Sequence, residues 1–386
     1  MNQVLVIGAG ISGCTLANLL ANNGFIVDIY EKLGHVGGHC YDLLSKDKIL
    51  YHQYGPHIFH TQNDEVINFI KQFANFNGYI NKVQVKLPNN KTTRLPFNFT
   101  QIKKMDSKNG KAIIDYLKKH FPNKTKVSIL ELRKFCDFEP LNKIVDWLYD
   151  HVYAPYTAKM WGIDIADIDE SVIARVGITL SENESYFPDA KLQGLPIGGY
   201  TKMFEKMINH PNINLHLNEN ALNHLSIVKN QLYWDKKLIK YPVIYCGPIE
   251  ALLNYKYGVL PYRSLEFKFQ TFNVEKKQEF PIINLPKDLK RTRTVEYKQM
   301  TKQKCLKTII STEYPGAFNI KGKKWNNPYY PINNLTNNKL YNKYFNELNK
   351  VKNLHLLGRL AEYKYLDMDT SILSAINLSK KISLML

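Results

Sequence analysis

Apolar residues follow two rhythms along this chain. Val4-Leu5-Val6-Ile7 is a short unbroken apolar run, the pattern of a parallel strand buried on both faces. It leads into Gly8-Ala9-Gly10-Ile11-Ser12-Gly13, a helical stretch at 14–21, then Gly24 and a second strand at 25–30 ending on Glu31. That is a complete βαβ unit. Residues 61–76 open with polar capping residues and carry Val66, Ile67, Phe69, Ile70 and Phe73 at helical spacing. From about 98 to 170 the rhythm stays helical, with a stretch at 112–120 and capping-box spacing at Ser128-Ile129-Leu130-Glu131. A long amphipathic run from about 141 to 161 follows, and no strand signal interrupts the region. From about 260 to 331 the pattern shifts to shorter Thr-, Tyr- and Phe-containing segments broken by turns, as in an antiparallel sheet. Val243-Ile244-Tyr245 and Leu354-His355-Leu356 again look like buried strands and belong with the first unit.

Composition narrows the class. At 386 residues, 44% hydrophobic and 22% charged, the chain has the make-up of a folded protein of two or three domains. Its 52 Lys+Arg against 34 Asp+Glu give 52 − 34 = +18, which raises nucleic acid as a partner. Binding of that kind calls for a clustered basic stripe with interleaved aromatics. The lysines fall instead in scattered patches such as Lys103-Lys104, Lys118-Lys119 and 321–324, so no nucleic-acid partner is expected. Five cysteines, odd in number and without CxxC spacing, indicate neither a disulfide framework nor a zinc site. With no apolar run of about 20 residues to span a bilayer and no secretory leader pattern, the expectation is a cytoplasmic protein without a transmembrane segment.

The glycines of the first unit have separate tasks. Gly8 makes the turn, Gly10 lets a pyrophosphate approach the backbone, and Gly13 lets helix and strand pack closely. Amides of Ile11 and Ser12 open the helix toward that charge. Glu31 closes the second strand, where a carboxylate accepts hydrogen bonds from an adenosine ribose. The pattern points to a dinucleotide. Past Glu31, Lys32-Leu33-Gly34-His35-Val36-Gly37-Gly38-His39 places a Gly-Gly pair where flavoproteins of the glutathione reductase and amine oxidase type run along FAD, and the segment resembles theirs. The alternative is a plain NAD-binding domain with a surface loop at this point.

The resemblance sharpens at Tyr54-Gly55-Pro56-His57-Ile58-Phe59-His60-Thr61, which is similar to the His-Ile-Phe-His segment of the UDP-galactopyranose mutase family. Further matches follow in order. They are Leu95-Pro96-Phe97-Asn98, Lys159-Met160-Trp161-Gly162, Ile173-Ala174-Arg175, Gln193-Gly194-Leu195-Pro196, Tyr262-Arg263-Ser264-Leu265, Arg293, Tyr329-Tyr330-Pro331, Gly358-Arg359-Leu360-Ala361 and Tyr365-Leu366-Asp367-Met368.

The family resemblance implies an α/β fold in three parts: a discontinuous Rossmann-like FAD-binding domain (1–77, 196–250 and 350–386), an inserted α-helical domain (98–167) and an antiparallel β-sheet domain (78–97, 168–195 and 251–349). It implies a mutase interconverting UDP-galactopyranose and UDP-galactofuranose for cell-surface polysaccharide biosynthesis. FAD is active when reduced, its N5 serving as covalent nucleophile at the anomeric carbon with no net redox change. NAD(P)H or another reductant would reduce it, and the enzyme would be a homodimer. By the same resemblance Arg175 and Arg293 clamp the diphosphate, a task suited to the planar guanidinium fork, and His60 joins them in the catalytic set. Tyr186, Tyr330 and Tyr365 hydrogen-bond the diphosphate, Tyr156 lies on the uracil, Trp161 lines the sugar pocket, Asn284 contacts the uridine and Asp367 sits at the sugar end. His57, Ile58, Arg359, Asp367 and Met368 join Gly8, Gly10, Ile11, Ser12, Gly13, Glu31, Lys32, Gly38 and His39 around FAD.

A spacing of three between His57 and His60 raises a metal, but no third ligand is arranged nearby and none is expected. A segment at about 166–188 is expected to close over substrate. Two rivals stay open: a relative acting on UDP-N-acetylgalactose or dTDP-fucose, and a true FAD oxidoreductase of the amine-oxidase type.

Overall fold

The computed structural model describes residues 3–87, 91–162 and 177–384. Five parallel strands form its central sheet, in the order Ile213–Leu217, Ile26–Glu31, Gln3–Ile7, Val243–Tyr245, Leu354–Leu356. Successive side chains of a strand point to opposite faces. Val4, Val6 and Ile244 therefore pack against helices Ile11–Asn22, Tyr200–Ile208 and Met368–Leu384, while Leu5, Ile7, Val243 and Tyr245 join Tyr262, Tyr344 and Leu348 in a second core. Both faces are covered, which is why these strands read as unbroken apolar runs.

A seven-stranded sheet forms the other large layer, in the order Tyr330–Pro331, Tyr262–Phe272, Thr308–Ala317, Arg293–Glu296, Ile282–Asn284, Val83–Lys86, Thr92–Leu95. It is antiparallel apart from one parallel pair, Ile282–Asn284 with Val83–Lys86. One continuous core joins this sheet to the helices before residue 162, through residues such as Val85, Ile282, Ile309, Ile113 and Leu148.

The helical region differs from its sequence pattern in two ways. A strand does interrupt it: Lys126–Ser128 pairs with Gly177–Thr179, and with Val127 as its one core residue it is too short to show a period of two. Ser128 nevertheless caps the next helix, accepting a bond from the Glu131 amide at 3.1 Å. The amphipathic run is also not one regular helix. Glu139–Leu148 passes through a π turn, Tyr149–Tyr153, into Ala154–Trp161. Pro155 has no N–H to give back and its ring crowds the preceding turn, so the ladder widens there. The helix expected at 61–76 is confined to Asp64–Ile70, with Asn63 accepting from the Val66 amide. Among the described residues no helix is long and apolar enough to cross a membrane.

Candidate active site

Two cavities meet at the boundary of the layers. The first, of about 310 Å³, runs along the carboxyl end of the central sheet past Gly8, Gly10, Ile11, Ser12, Gly13, Glu31, Lys32, Gly38 and His39. Gly10 gives helix Ile11–Asn22 no side-chain cap, so its first amides are left for a ligand. Space here is tight. A Cβ on Gly13 would lie 1.9 Å from the Gly8 carbonyl oxygen, and one on Gly38, at φ +53°, would lie 3.1 Å from Gly10 Cα. Glu31, 7% exposed, accepts from the amides of Ala9 and Leu33, both at 2.9 Å, so it shapes the loop as well as lining the cavity. His39 donates from Nε2 to Asn327 at 3.2 Å and stacks on Tyr329 at 4.4 Å. Burial, then the Arg359 charge, pushes its pKa down to about 3, so the imidazole is neutral. An uncapped helix start, facing glycines and a buried acid at the second strand's end suit a dinucleotide.

The second cavity, about 540 Å³, is lined by His57, Ile58, His60, Tyr156, Trp161, Tyr186, Asn284, Arg293, Tyr330, Tyr365 and Asp367. Arg359, Met368, Tyr54 and Leu366 border both cavities. His57, Ile58 and Asp367 thus stand on the larger one. Arg175 lies outside the described residues, as does 166–176 of the segment expected to close over substrate.

Sheet register organises the larger cavity. Asn284 stands opposite Arg293, and Arg293 opposite Glu313, in one row across three strands. Glu313, its side chain 1% exposed, accepts from Arg293 and from Thr292 Oγ1. Burial works against the charge on Arg293, but Glu313 together with Tyr156 and Tyr330 outweighs it and the guanidinium stays protonated. Tyr330 stacks on Tyr365 at 5.7 Å, with the Arg359 guanidinium 5.4 Å from the Tyr330 ring and Trp161 at 6.3 Å. Burial pushes the Tyr330 phenol up to about 12 and raises that of Tyr156 as well, so both remain O–H donors. His60 stacks on Phe187 at 3.6 Å. His57 donates from Nδ1 to the Gly55 carbonyl at 2.9 Å, and burial followed by its histidine and arginine neighbours takes its pKa to about 3. Cationic forks and neutral hydroxyls facing one cavity are a site for a phosphorylated ligand.

Residues 151–365 match the UDP-galactopyranose mutase family, and residues 6–73 match an NAD(P)-binding Rossmann-like domain. The chain is 48% identical to UDP-galactopyranose mutase of Mycoplasma genitalium over 98% of its length and 94% of that protein's. The chain belongs to the UDP-galactopyranose mutase family. It is an enzyme of the isomerase class. The Mycoplasma pneumoniae UDP-galactopyranose mutase is 45% identical, covering 95% of this chain and 93% of that one. Escherichia coli dTDP-fucopyranose mutase is 31% identical, covering 97% of each. Among solved structures, reduced UDP-galactopyranose mutase superposes with a TM-score of 0.71 at 15% identity, over all of this chain and 96% of that one, and so shares the fold.

Several residues of the site carried no signal in the sequence. Glu313 sits in a strand and becomes visible only through its register with Arg293. Asn327 and Phe187 act as partners of His39 and His60 across long stretches of chain. Tyr54 does open the family-like segment at 54–61, and the structure adds that it borders both cavities and donates or accepts at His35 Nε2, 3.0 Å away. Among the described residues no three His, Cys, Asp or Glu side chains are grouped to hold a metal.

Proposed function

We propose that this enzyme interconverts UDP-galactopyranose and UDP-galactofuranose with FAD in the smaller cavity and the nucleotide sugar in the larger. The supporting observation is Arg293, anchored by buried Glu313 and facing a space that opens directly onto the dinucleotide cleft. Ring contraction requires the hemiacetal to open, and UDP on the anomeric carbon blocks opening until it leaves. Reduced FAD would supply the nucleophile, N5, that takes the anomeric carbon while UDP departs, with no net redox change. Arg293, and by the family resemblance Arg175, hold the pyrophosphate through departure and return. Tyr330, Tyr186 and Tyr365 donate hydroxyls to it, Tyr156 covers the uracil with Asn284 beside it, and Trp161 and Asp367 bound the sugar. His57, neutral and fixed by Gly55, and His60, stacked on Phe187, would lie against the flavin from the larger cavity; closure over the substrate would exclude water.

The reading extends to three parts of the chain as divided above, a homodimer, reduction by NAD(P)H or another donor, and a reducing cytoplasm, which the five free thiols support. The test is direct. Purified protein is yellow and converts UDP-galactofuranose to the pyranose only after dithionite reduction. Absence of pyranose from the reduced sample refutes the assignment for this sugar. Flavin reduction driven by a substrate would favour an oxidoreductase instead.

A further inference from the structure

Lys159 projects from helix Ala154–Trp161, and the three N–H groups of its ammonium are shared among four backbone carbonyls, those of Leu285, Pro286, Asp288 and Arg291, at 2.5 to 3.2 Å. All four belong to the loop that joins Asn284 to Arg293, the opposed pair on the cavity wall. The loop is shaped around Asp288, whose Oδ1 accepts from the amides of Lys290 and Arg291 at 2.9 and 2.7 Å. From the sheet side, Arg263 donates to the carbonyls of Met160 and Lys159 at 2.6 and 3.2 Å, tying down the same helix end. Gly162 closes the helix there in the left-handed region at φ +66°, which favours glycine, and packs against the Arg263 guanidinium.

Helix and loop both supply lining of the larger cavity: Tyr156 and Trp161 stand on the helix, Asn284 and Arg293 at the two ends of the loop. The shared core and the Arg263 bonds hold this helix to the sheet, and Lys287 Nζ donates to the Asp150 carbonyl at 3.0 Å from the same loop; Lys159 sets the spacing at the middle of the loop. A single ammonium shared among four carbonyls does so without entering the cavity, since Lys159 is absent from its lining. We infer that Lys159 is a positioning residue that presets the nucleotide end of the site, holding Asn284 and Arg293 at a fixed distance from Tyr156 before any nucleotide arrives. The identity of the ligand rests on the proposed function; the latch itself rests on the geometry.

The experiment uses the FAD-loaded full chain and UDP as probe. Lys159→Met keeps the aliphatic stem and removes the donors. UDP affinity is expected to fall by about tenfold or more, the loss of a charged hydrogen-bond donor, with KM rising in parallel and kcat changing by less than about threefold. Lys159→Arg restores most of the affinity. A merely structural lesion lowers kcat through the folded fraction and leaves the dissociation constant of the remaining sites unchanged. K159M that loads FAD and binds UDP within about twofold of wild type overturns the inference alone. Wild type that binds no UDP overturns the nucleotide reading together with it.

Should K159M fail to load FAD, acylation of wild-type holoenzyme by an amine reagent decides. Slower modification at Lys159 than at exposed Lys202, with Lys159 adducts depleted from molecules retained on immobilised UDP, supports the latch. Adduct-bearing molecules retained as well as unmodified ones overturn it.

Discussion

Nε and Nη2 of Arg293 both lie 2.8 Å from one oxygen, Oε2, of Glu313 on the neighbouring strand. The arginine therefore reaches the cavity already oriented, with its remaining donors turned to whatever the cavity holds. Arg293→Ala is expected to abolish turnover while leaving the protein yellow, and Arg175→Ala to do the same. The Arg293 variant strands the buried Glu313 carboxylate, at a cost of about 3–5 kcal/mol. Glu313→Gln in the same chain should recover most of that loss. Urea unfolding of the three proteins, with an absorbance spectrum of each, checks both statements, and colourless Arg293→Ala protein would assign the residue to the cofactor cleft.

Stability should fall as the solution is acidified. Burial holds His39, His52 and His57 at about 3 in the folded chain, against 6.5 for an ordinary imidazole. Between those values the unfolded chain binds more protons, so stability is complete above about pH 6.5 and is lost toward pH 3. Glu250, pushed up to about 7 by burial, works in the opposite sense between 4.5 and 7. Three histidines less one carboxyl leave a net slope of roughly 2–3 kcal/mol per pH unit near pH 5.5. His52 accepts the His57 amide at 3.0 Å and lines neither cavity, so His52→Gln isolates one contribution and should flatten the slope by about 1 kcal/mol per pH unit. Denaturant midpoints at pH 5 and pH 7 provide the comparison; an unchanged slope in the variant would show that His52 does not titrate this way.

Two glycines of one motif should fail differently. A Cβ on Gly10 meets nothing nearer than Gly38 Cα at 4.0 Å, whereas one on Gly13 strikes the Gly8 carbonyl oxygen at 1.9 Å. Gly10→Ala is expected to fold and to lose FAD, because its methyl occupies the approach of the pyrophosphate. Gly13→Ala is expected to be insoluble or unfolded. Circular dichroism alongside the flavin-to-protein absorbance ratio separates the two.

Tyr330→Phe preserves the stack on Tyr365 and the contact with Arg359 but removes one hydroxyl. Loss of a donor to a charged phosphate predicts a KM for the nucleotide sugar raised by about tenfold with FAD binding intact. Steady-state kinetics on reduced enzyme measures it.

The parts that were legible in the sequence are those with strong local chemistry. Strand Gln3–Ile7, its glycine turn and Glu31 announce themselves because a doubly buried strand and a pyrophosphate loop each constrain neighbouring residues. Strand Ile213–Leu217 escaped notice: it is an edge strand, half exposed, with no continuous apolar run. So did the hairpin at 225–234, whose turn puts Lys229 and Asn230 at φ +50° and +60° without the usual glycine. In the site, arginines and tyrosines were found through aligned motifs, whereas Glu313 and the carbonyl grip of Lys159 depend on register between distant strands and on backbone atoms, which residue identities do not encode.

The smaller cavity is built from residues 7–13 and 30–40 together with 245–251 and 358–371. On the ribosome its first wall therefore exists for more than three hundred residues of synthesis before its last wall appears. From its own emergence until residues 354–356 follow, the strand Val243–Tyr245 presents an unpaired edge where Leu354–Leu356 will dock. Cofactor capture is accordingly a late event in the life of the nascent chain, and a supply of flavin during translation matters less than its supply at the end.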